Sequence, residues 1–211
     1  MLRSKPVKII QSYKIKLVFY ADFAEKRRNL VLLRGLSGIQ ILVWDLLIVG
    51  VWHVTVFIAC VKLPVSYFDE NRPRFRARNW ERGGRWYKDT LHINVWKDHI
   101  PQFVSKGGFS KEHLENMEDL SLEYLDRFIM ETCRGEWMHL SGALCAVLLL
   151  VVNPIGFGLV TAFLTLLGNL PFAAIQRYNR FRLQTLRKRL LRTRKNASSR
   201  EAGSVLCGDL T

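Results

Sequence analysis

The chain has 211 residues, 49% of them apolar, and yet it carries a formal net charge of +14. That length suits one compact domain or a small membrane protein, and the segregation of apolar from basic residues argues against an ordinary soluble domain. Cys60, Cys133, Cys145 and Cys207 form no close pair, which speaks against a disulfide framework or a zinc site, and Cys207 misses the prenylation position.

Residues 1–35 form a basic leader. The stretch "YKIKLVFYADFAEKRRNLVLLRG" mixes apolar residues with Lys and Arg. This pattern fits a helix lying in the membrane interface, attracted by anionic lipid. The leader contains no short apolar run ending in a cleavage site, so a signal peptide is not expected.

Residues 36–63 are the first hydrophobic segment. A run of about 20 apolar residues crosses the hydrocarbon core, and Ile39 to Leu63 is long enough. Asp45 and His53 lie inside it. An ionisable group at that depth is a functional candidate, and a neutral His53 bonded to a neighbouring helix is an equal reading. The segment either spans the membrane or turns back near Gly50.

Residues 64–136 are a polar interfacial domain. Gly83-Gly84 marks a turn, Pro101 stops "LHINVW", and Gly107-Gly108 marks a loop. Ser110 can cap a short helix. A longer helix starts near Ser121, with Leu122, Leu125, Phe128, Ile129 and Thr132 at helical spacing. Nothing breaks it before the next apolar run. In "FRARNWERGGRWYKDTLHINVWK" aromatic and basic residues alternate. Such interleaving can bind single strands by stacking. Between membrane segments it fits docking at the interface instead, so no nucleic-acid partner is expected. Glu81, beside Trp80, and Lys97, beside Trp96, are the polar residues most worth testing there.

Residues 137–176 form a hairpin of two apolar arms, Trp137 to Val152 and Ile155 to Ile175, separated by Asn153-Pro154. Residues 177–211 are a basic tail, with "NASSREAGSVLCGDLT" expected to be disordered. The leader, residues 62–136 and the tail hold nine, thirteen and ten Lys and Arg. Basic flanks favour the cytoplasm, and the hairpin puts the middle domain and the tail on one side. The expected protein is therefore mainly α-helical and multi-pass in the cell membrane, with its polar domain and tail cytoplasmic. Nine charges on the leader favour the re-entrant reading of the first segment.

Between Leu140 and Gln176 there is no Asp, Glu, Lys, Arg or His, but "ETCRGEWMH" packs Glu131, Arg134, Glu136 and His139 against that run. At 100° per residue Glu136 and His139, three apart, can touch. Glu131 lies two turns from His139, roughly 12 Å along the axis. A carboxylate beside the imidazole fixes its tautomer and raises its basicity, as a general base requires. Arg134 can grip a phosphate or carboxylate. Charges at the end of a membrane helix also serve as plain anchors. Further on, Asn169, Gln176 and Arg180 fall within about 40° on a helix, beside a kink expected at Pro171. Arg177, Arg180 and Arg182 crowd the interface, Arg182 as an anchor. Anchoring explains Asn169 poorly, because a buried amide needs a partner. Glu136-x-x-His139 is half of a di-iron motif, but no second copy exists, so neither a metal nor another cofactor is expected.

"NWERGGRWY…LHINVWKDHIP", "ETCRGEWMH" and "NLPFAAIQRYNRFRL" resemble, in order, three motif blocks of the glycosyl-diaponeurosporenoate acyltransferase family, over about residues 68 to 185. "QRYNR", Gln176 to Arg180 with Asn179 inside it, is the most specific part. The family usually continues with Pro, where this chain has Phe181. The resemblance implies a small membrane enzyme that places a fatty acyl chain on a sugar hydroxyl of a glycosylated carotenoid or related glycolipid. It implies membrane lipid, an acyl donor (acyl-CoA, acyl carrier protein or phospholipid) and a glycosylated lipophilic acceptor as partners. His139 would take the hydroxyl proton and Glu136 would orient it, with Glu131 the next candidate. Arg134, Arg177 and Arg180 would hold the donor's anionic end or the oxyanion. Lys97, Glu81, Trp96, Asn169, Gln176 and Asn179 would complete the substrate site. A non-enzymatic lipid-binding or assembly protein and a membrane oxidoreductase are the alternatives.

Overall fold

The computed structural model describes residue 25, residues 31–99 and residues 121–208, with side chains described as far as residue 196. The leader before residue 31, apart from residue 25, lies outside the described residues. So do Pro101, Gly107-Gly108, Ser110 and residues 209–211. The described chain is helical, without strands. Helix α1 is Gly38–Lys62, α2 Arg85–Asp89, α3 Ile93–Trp96, α4 Leu122–Ala143, α5 Cys145–Val152 and α6 Ile155–Gly208. Short 3-10 turns cover Val65–Phe68, Asn79–Gly84 and Lys97–His99.

Among the described residues three helical stretches are long and apolar enough to cross a membrane: Gly38–Lys62, Leu122–Val152 and Ile155–Asn196. In α1 this reading has a direct physical reason. Leu46, Val51 and Val61 are each about two-thirds exposed, at 65%, 67% and 67%. A helix with so many bare aliphatic side chains needs an apolar solvent. The turn expected near Gly50 is absent. Helix α1 is continuous for 25 residues, roughly 37 Å at 1.5 Å per residue. A single Gly in a helix interior costs only about 1 kcal/mol relative to Ala, too little to break a helix of Val, Ile and Leu without a proline.

The chain divides into two units, Met1–Thr55 with Gly142–Gly168, and Val56–Ser141 with Asn169–Thr211. In the first unit Leu33, Ile41 and Val152 form a small apolar core flanked by Leu36 and Ile48. The break expected at Asn153-Pro154 separates α5 from α6, because Pro154 cannot continue the backbone ladder. Asn153 is fully buried, and its Nδ2 donates to Asp45 Oδ1 at 2.7 Å and to the Leu149 carbonyl at 3.1 Å. This is where the Asp45 carboxyl of the apolar run finds its partner. His53 Nδ1 lies 2.8 Å from the Val49 carbonyl of its own helix. Gly158 lets the two sides of the turn close: a Cβ there would sit 3.2 Å from both Asn153 Cβ and the Leu149 carbonyl.

In the second unit α4 starts where the sequence indicates. Ser121 Oγ accepts a hydrogen bond from the Tyr124 backbone N–H at 3.0 Å, satisfying one of the free donors of the first turn. Leu125, Ile129 and Thr132 are buried, on the face that the apolar spacing predicts. That face meets α6. Leu125 and Ile129 pack with Leu183, Thr132 meets Arg180, Gly135 meets Gln176 and His139 meets Phe172. One partner number falls as the other rises, so α4 and this stretch of α6 run antiparallel. Helix α6 continues through Pro171 and on to Gly208. Its backbone is thus helical over most of the stretch expected to be disordered. No proline follows Pro171, and Ala197, Arg200, Glu201, Ala202 and Leu206 of this stretch favour helix.

Candidate active site

The candidate catalytic and substrate residues lie in the second unit, and four of them, Glu81, Glu136, Arg177 and Arg180, converge on one another. Arg177 and Arg180 are buried, with 5% and 2% exposure, and so are Glu81 at 1% and Glu136 at 7%. Arg177 Nε and Nη2 donate to the two oxygens of Glu81 at 2.7 and 2.8 Å, a bidentate fork. Its Nη1 reaches the Phe75 carbonyl at 3.0 Å and Glu136 Oε1 at 3.4 Å, and its Nη2 also reaches the Arg76 carbonyl at 2.7 Å. Arg180 Nη2 pairs with Glu136 Oε2, its Nη1 donates to the Phe75 carbonyl at 3.1 Å, and its Nε to Thr132 Oγ1 at 3.3 Å. Two acids thus balance two guanidiniums. The chain reversal around residues 74–76 supplies carbonyls to both arginines.

Local sequence explains how Glu81 reaches this position. Arg82, Gly83 and Gly84 take left-handed φ of 49°, 65° and 93° in succession, the turn that Gly83-Gly84 marks. Gly84 is required twice over, since a Cβ there would sit 2.9 Å from Phe181 Cβ. The Glu81 carboxylate also accepts from the Arg78 backbone N–H at 2.6 Å and the Tyr87 hydroxyl at 2.7 Å. Burial alone would raise the Glu81 carboxyl, but the Arg177 fork, the Arg78 N–H and the Tyr87 hydroxyl outweigh it and hold the group below its ordinary range. Burial, followed by the adjacent Glu81 carboxylate, pushes the Tyr87 phenol up.

Arg177, Arg180, Glu81 and Glu136 therefore clamp the loop onto α4 and α6, and their polar atoms point at each other. Glu136, expected beside the imidazole, directs its oxygens to Arg177 and Arg180. His139 instead lays its half-buried ring on Phe172, with centroids 5.0 Å apart and planes at 17°. One turn along, the half-buried Gln176 packs so closely on α4 that a Cβ at Gly135 would meet its Cδ at 2.9 Å. Asn169 is buried and Asn179 half-buried. Glu131 pairs with Arg134 at 2.7 Å, both 30% exposed. Lys97 is buried, with Nζ 3.0 Å from Asp98 Oδ2. Trp96 donates Nε1 to the Leu91 carbonyl at 2.8 Å and packs on the cluster of Tyr87, Ile93, Ile175 and Phe181. Sequence reasoning missed Thr132, Tyr87 and Phe172. Thr132 was visible only as an apolar-spacing position, and Phe172 looks like any aromatic in a membrane arm.

The fold and these residues define a small helical membrane protein with a charged, tightly tied polar loop beside one half-buried histidine. The profile of the family described as glycosyl-4,4'-diaponeurosporenoate acyltransferase matches residues 64–189, a stretch that contains every residue of the clamp and His139. Similar proteins include the glycosyl-4,4'-diaponeurosporenoate acyltransferases of Staphylococcus aureus strains MRSA252, bovine RF122 / ET3-1 and USA300. Each is 26% identical over 133 residues, which is 62% of this chain and 78% of theirs. No solved structure matches the chain. The chain belongs to the glycosyl-4,4'-diaponeurosporenoate acyltransferase family, and it is an acyltransferase.

Proposed function

We propose that this acyltransferase moves a fatty acyl chain onto a sugar hydroxyl of a glycosylated carotenoid or closely related glycolipid in the cell membrane, with His139 as the general base. The observation that carries the reading is the His139–Phe172 stack inside the family match. It holds an imidazole at the polar end of the apolar arms, where a greasy chain and a sugar can meet. The hydroxyl oxygen attacks the acyl carbonyl carbon while His139 accepts its proton. The donor's thiol or alcohol then leaves, taking that proton from the imidazolium. The Gln176 amide, one turn from Phe172, donates to the carbonyl oxygen as it becomes negative. Glu136 acts on His139 indirectly, by fixing α4 against α6 through Arg177 and Arg180. Asn169, Asn179, Lys97 and Trp96 line the approach of the acceptor. The donor is an acyl-CoA, an acyl carrier protein or a phospholipid. The polar domain and the tail face the cytoplasm, where their basic residues are favoured.

The test is product analysis. The purified chain in lipid, given a glycosylated carotenoid and candidate donors, should yield a product heavier by one acyl group and sensitive to mild alkali. Binding of the acceptor without any mass gain, with every donor class, would favour the non-enzymatic lipid-binding or assembly reading.

A further inference from the structure

Acyl transfer needs a held donor, yet the forks of Arg177 and Arg180 are spent inside the clamp. Three other guanidiniums are differently placed. Arg74 Cζ lies 4.7 Å and Arg72 Cζ 5.5 Å from the centroid of the same ring, Tyr67, and Arg74 Nη1 donates to the Tyr67 hydroxyl. That ring stands edge-on to Phe68 at 5.4 Å and to Trp137 at 6.2 Å. Arg134, one turn before Trp137 on α4, has its Cζ 5.1 Å from the Phe68 ring.

The acids nearby are committed elsewhere. Asp69 accepts from the Asn71 backbone and side chain at 2.9 and 3.0 Å. Glu70 is held by Gln184 and Arg187. Among the described residues only Glu131 answers this group, through Arg134. Arg72 and Arg74 meet no carboxylate among the described residues. Arg134 Nε is buried and finds no acceptor among them. Ring contacts orient a guanidinium without using its N–H donors. Two cations sharing one ring repel each other, and an anion between them relieves that cost.

We propose that Arg72, Arg74 and Arg134, seated on Tyr67 and Phe68, bind the phosphate of the acyl donor. This inference rests on the acyl-transfer reading and assigns the phosphate that those donors share to named residues. A phosphate offers several acceptor oxygens to the planar forks of arginine. On α4 Arg134 and His139 point about 140° apart and lie about 7.5 Å apart along the axis. Phosphate and reacting carbonyl are therefore separate groups of the donor, set far apart by the pantetheine arm in a coenzyme A thioester and only a few bonds apart in a glycerophospholipid.

The full chain in uncharged detergent is titrated with coenzyme A by calorimetry, and in bicelles with phosphatidylglycerol by phosphorus NMR. Two variants are compared: Arg72→Gln with Arg74→Gln, and Arg82→Gln with Arg85→Gln, all four positions being exposed. The wild type should bind at least one probe saturably and more weakly in high salt. The first variant should bind at least about tenfold more weakly, and the second like the wild type. Binding of coenzyme A identifies a soluble thioester donor, and binding of phosphatidylglycerol alone a lipid donor. No binding of either probe to the wild type, or equal binding by the first variant, overturns the site. These titrations need no turnover, so their failure is separable from a failure of acyl transfer.

Discussion

Glu81→Gln is the most informative perturbation of the fold. The amide keeps the side-chain size but replaces a carboxylate that is 1% exposed and accepts from Arg177, Arg78 and Tyr87. One amide oxygen survives. The other position becomes an NH2 facing the Arg177 fork, and the second acid, Glu136, is 3.4 Å from Arg177 and already shared with Arg180. Removing one partner of a buried ion pair costs about 3–5 kcal/mol, because the remaining charge stays desolvated. For a chain of this size that corresponds to a melting point about 10 °C lower. The assay is fluorescence-detected melting in detergent, with hydrogen exchange of residues 74–87 as the local readout. Arg177→Gln should cost a similar amount, and the double variant much less than both together. Acid offers an independent check. The folded Glu81 carboxyl is depressed below its ordinary value of 4.5. Its stabilisation is therefore complete above that pH and is lost as pH falls towards the folded value. A Glu81→Gln protein that melts with the wild type and keeps the loop protected would refute the clamp.

Gly84→Ala should destabilise the same loop by about 1–3 kcal/mol, from left-handed strain and contact with Phe181, again read by melting. Asn153→Ala removes the partner of buried Asp45 and should cost about 1–3 kcal/mol; Asp45→Ala in that background should recover part of it, and additive losses would count against the pair. Cysteines introduced at Gly107 and Gly203, in a chain without its own cysteines, should label from the same face of sealed vesicles, and labelling from opposite faces would sink the hairpin topology.

Local features were legible in the sequence because their physics is local. The helix start near Ser121, the break at Asn153-Pro154 and the turn at Gly83-Gly84 each depend on a few neighbouring atoms. The clamp was not legible. Arg177 finds Glu81 across 96 residues, and no spacing rule says which of several arginines will turn inward. Helical angles put Glu136 and His139 within reach of each other, but two guanidiniums offer a carboxylate more than a neutral imidazole does. Gly50 misled for the opposite reason: a lone glycine signals a possible turn, and the apolar residues around it outweigh that signal. The pairing of Asp45 with Asn153 needed the tertiary structure, although each residue was conspicuous alone.

The central claim is that His139 takes the acceptor's proton, and the direct measurement is the specific activity of His139→Ala, per folded molecule in lipid, beside Phe172→Leu and the wild type. A positioned base contributes about 10²–10⁴-fold. His139→Ala should therefore lose at least about tenfold in kcat at normal protein level and melting point. Phe172→Leu should lose less and shift the pH profile, since it loosens the ring without removing it. A well-folded His139→Ala protein with wild-type specific activity would contradict the account and leave Glu131 as the next base to test.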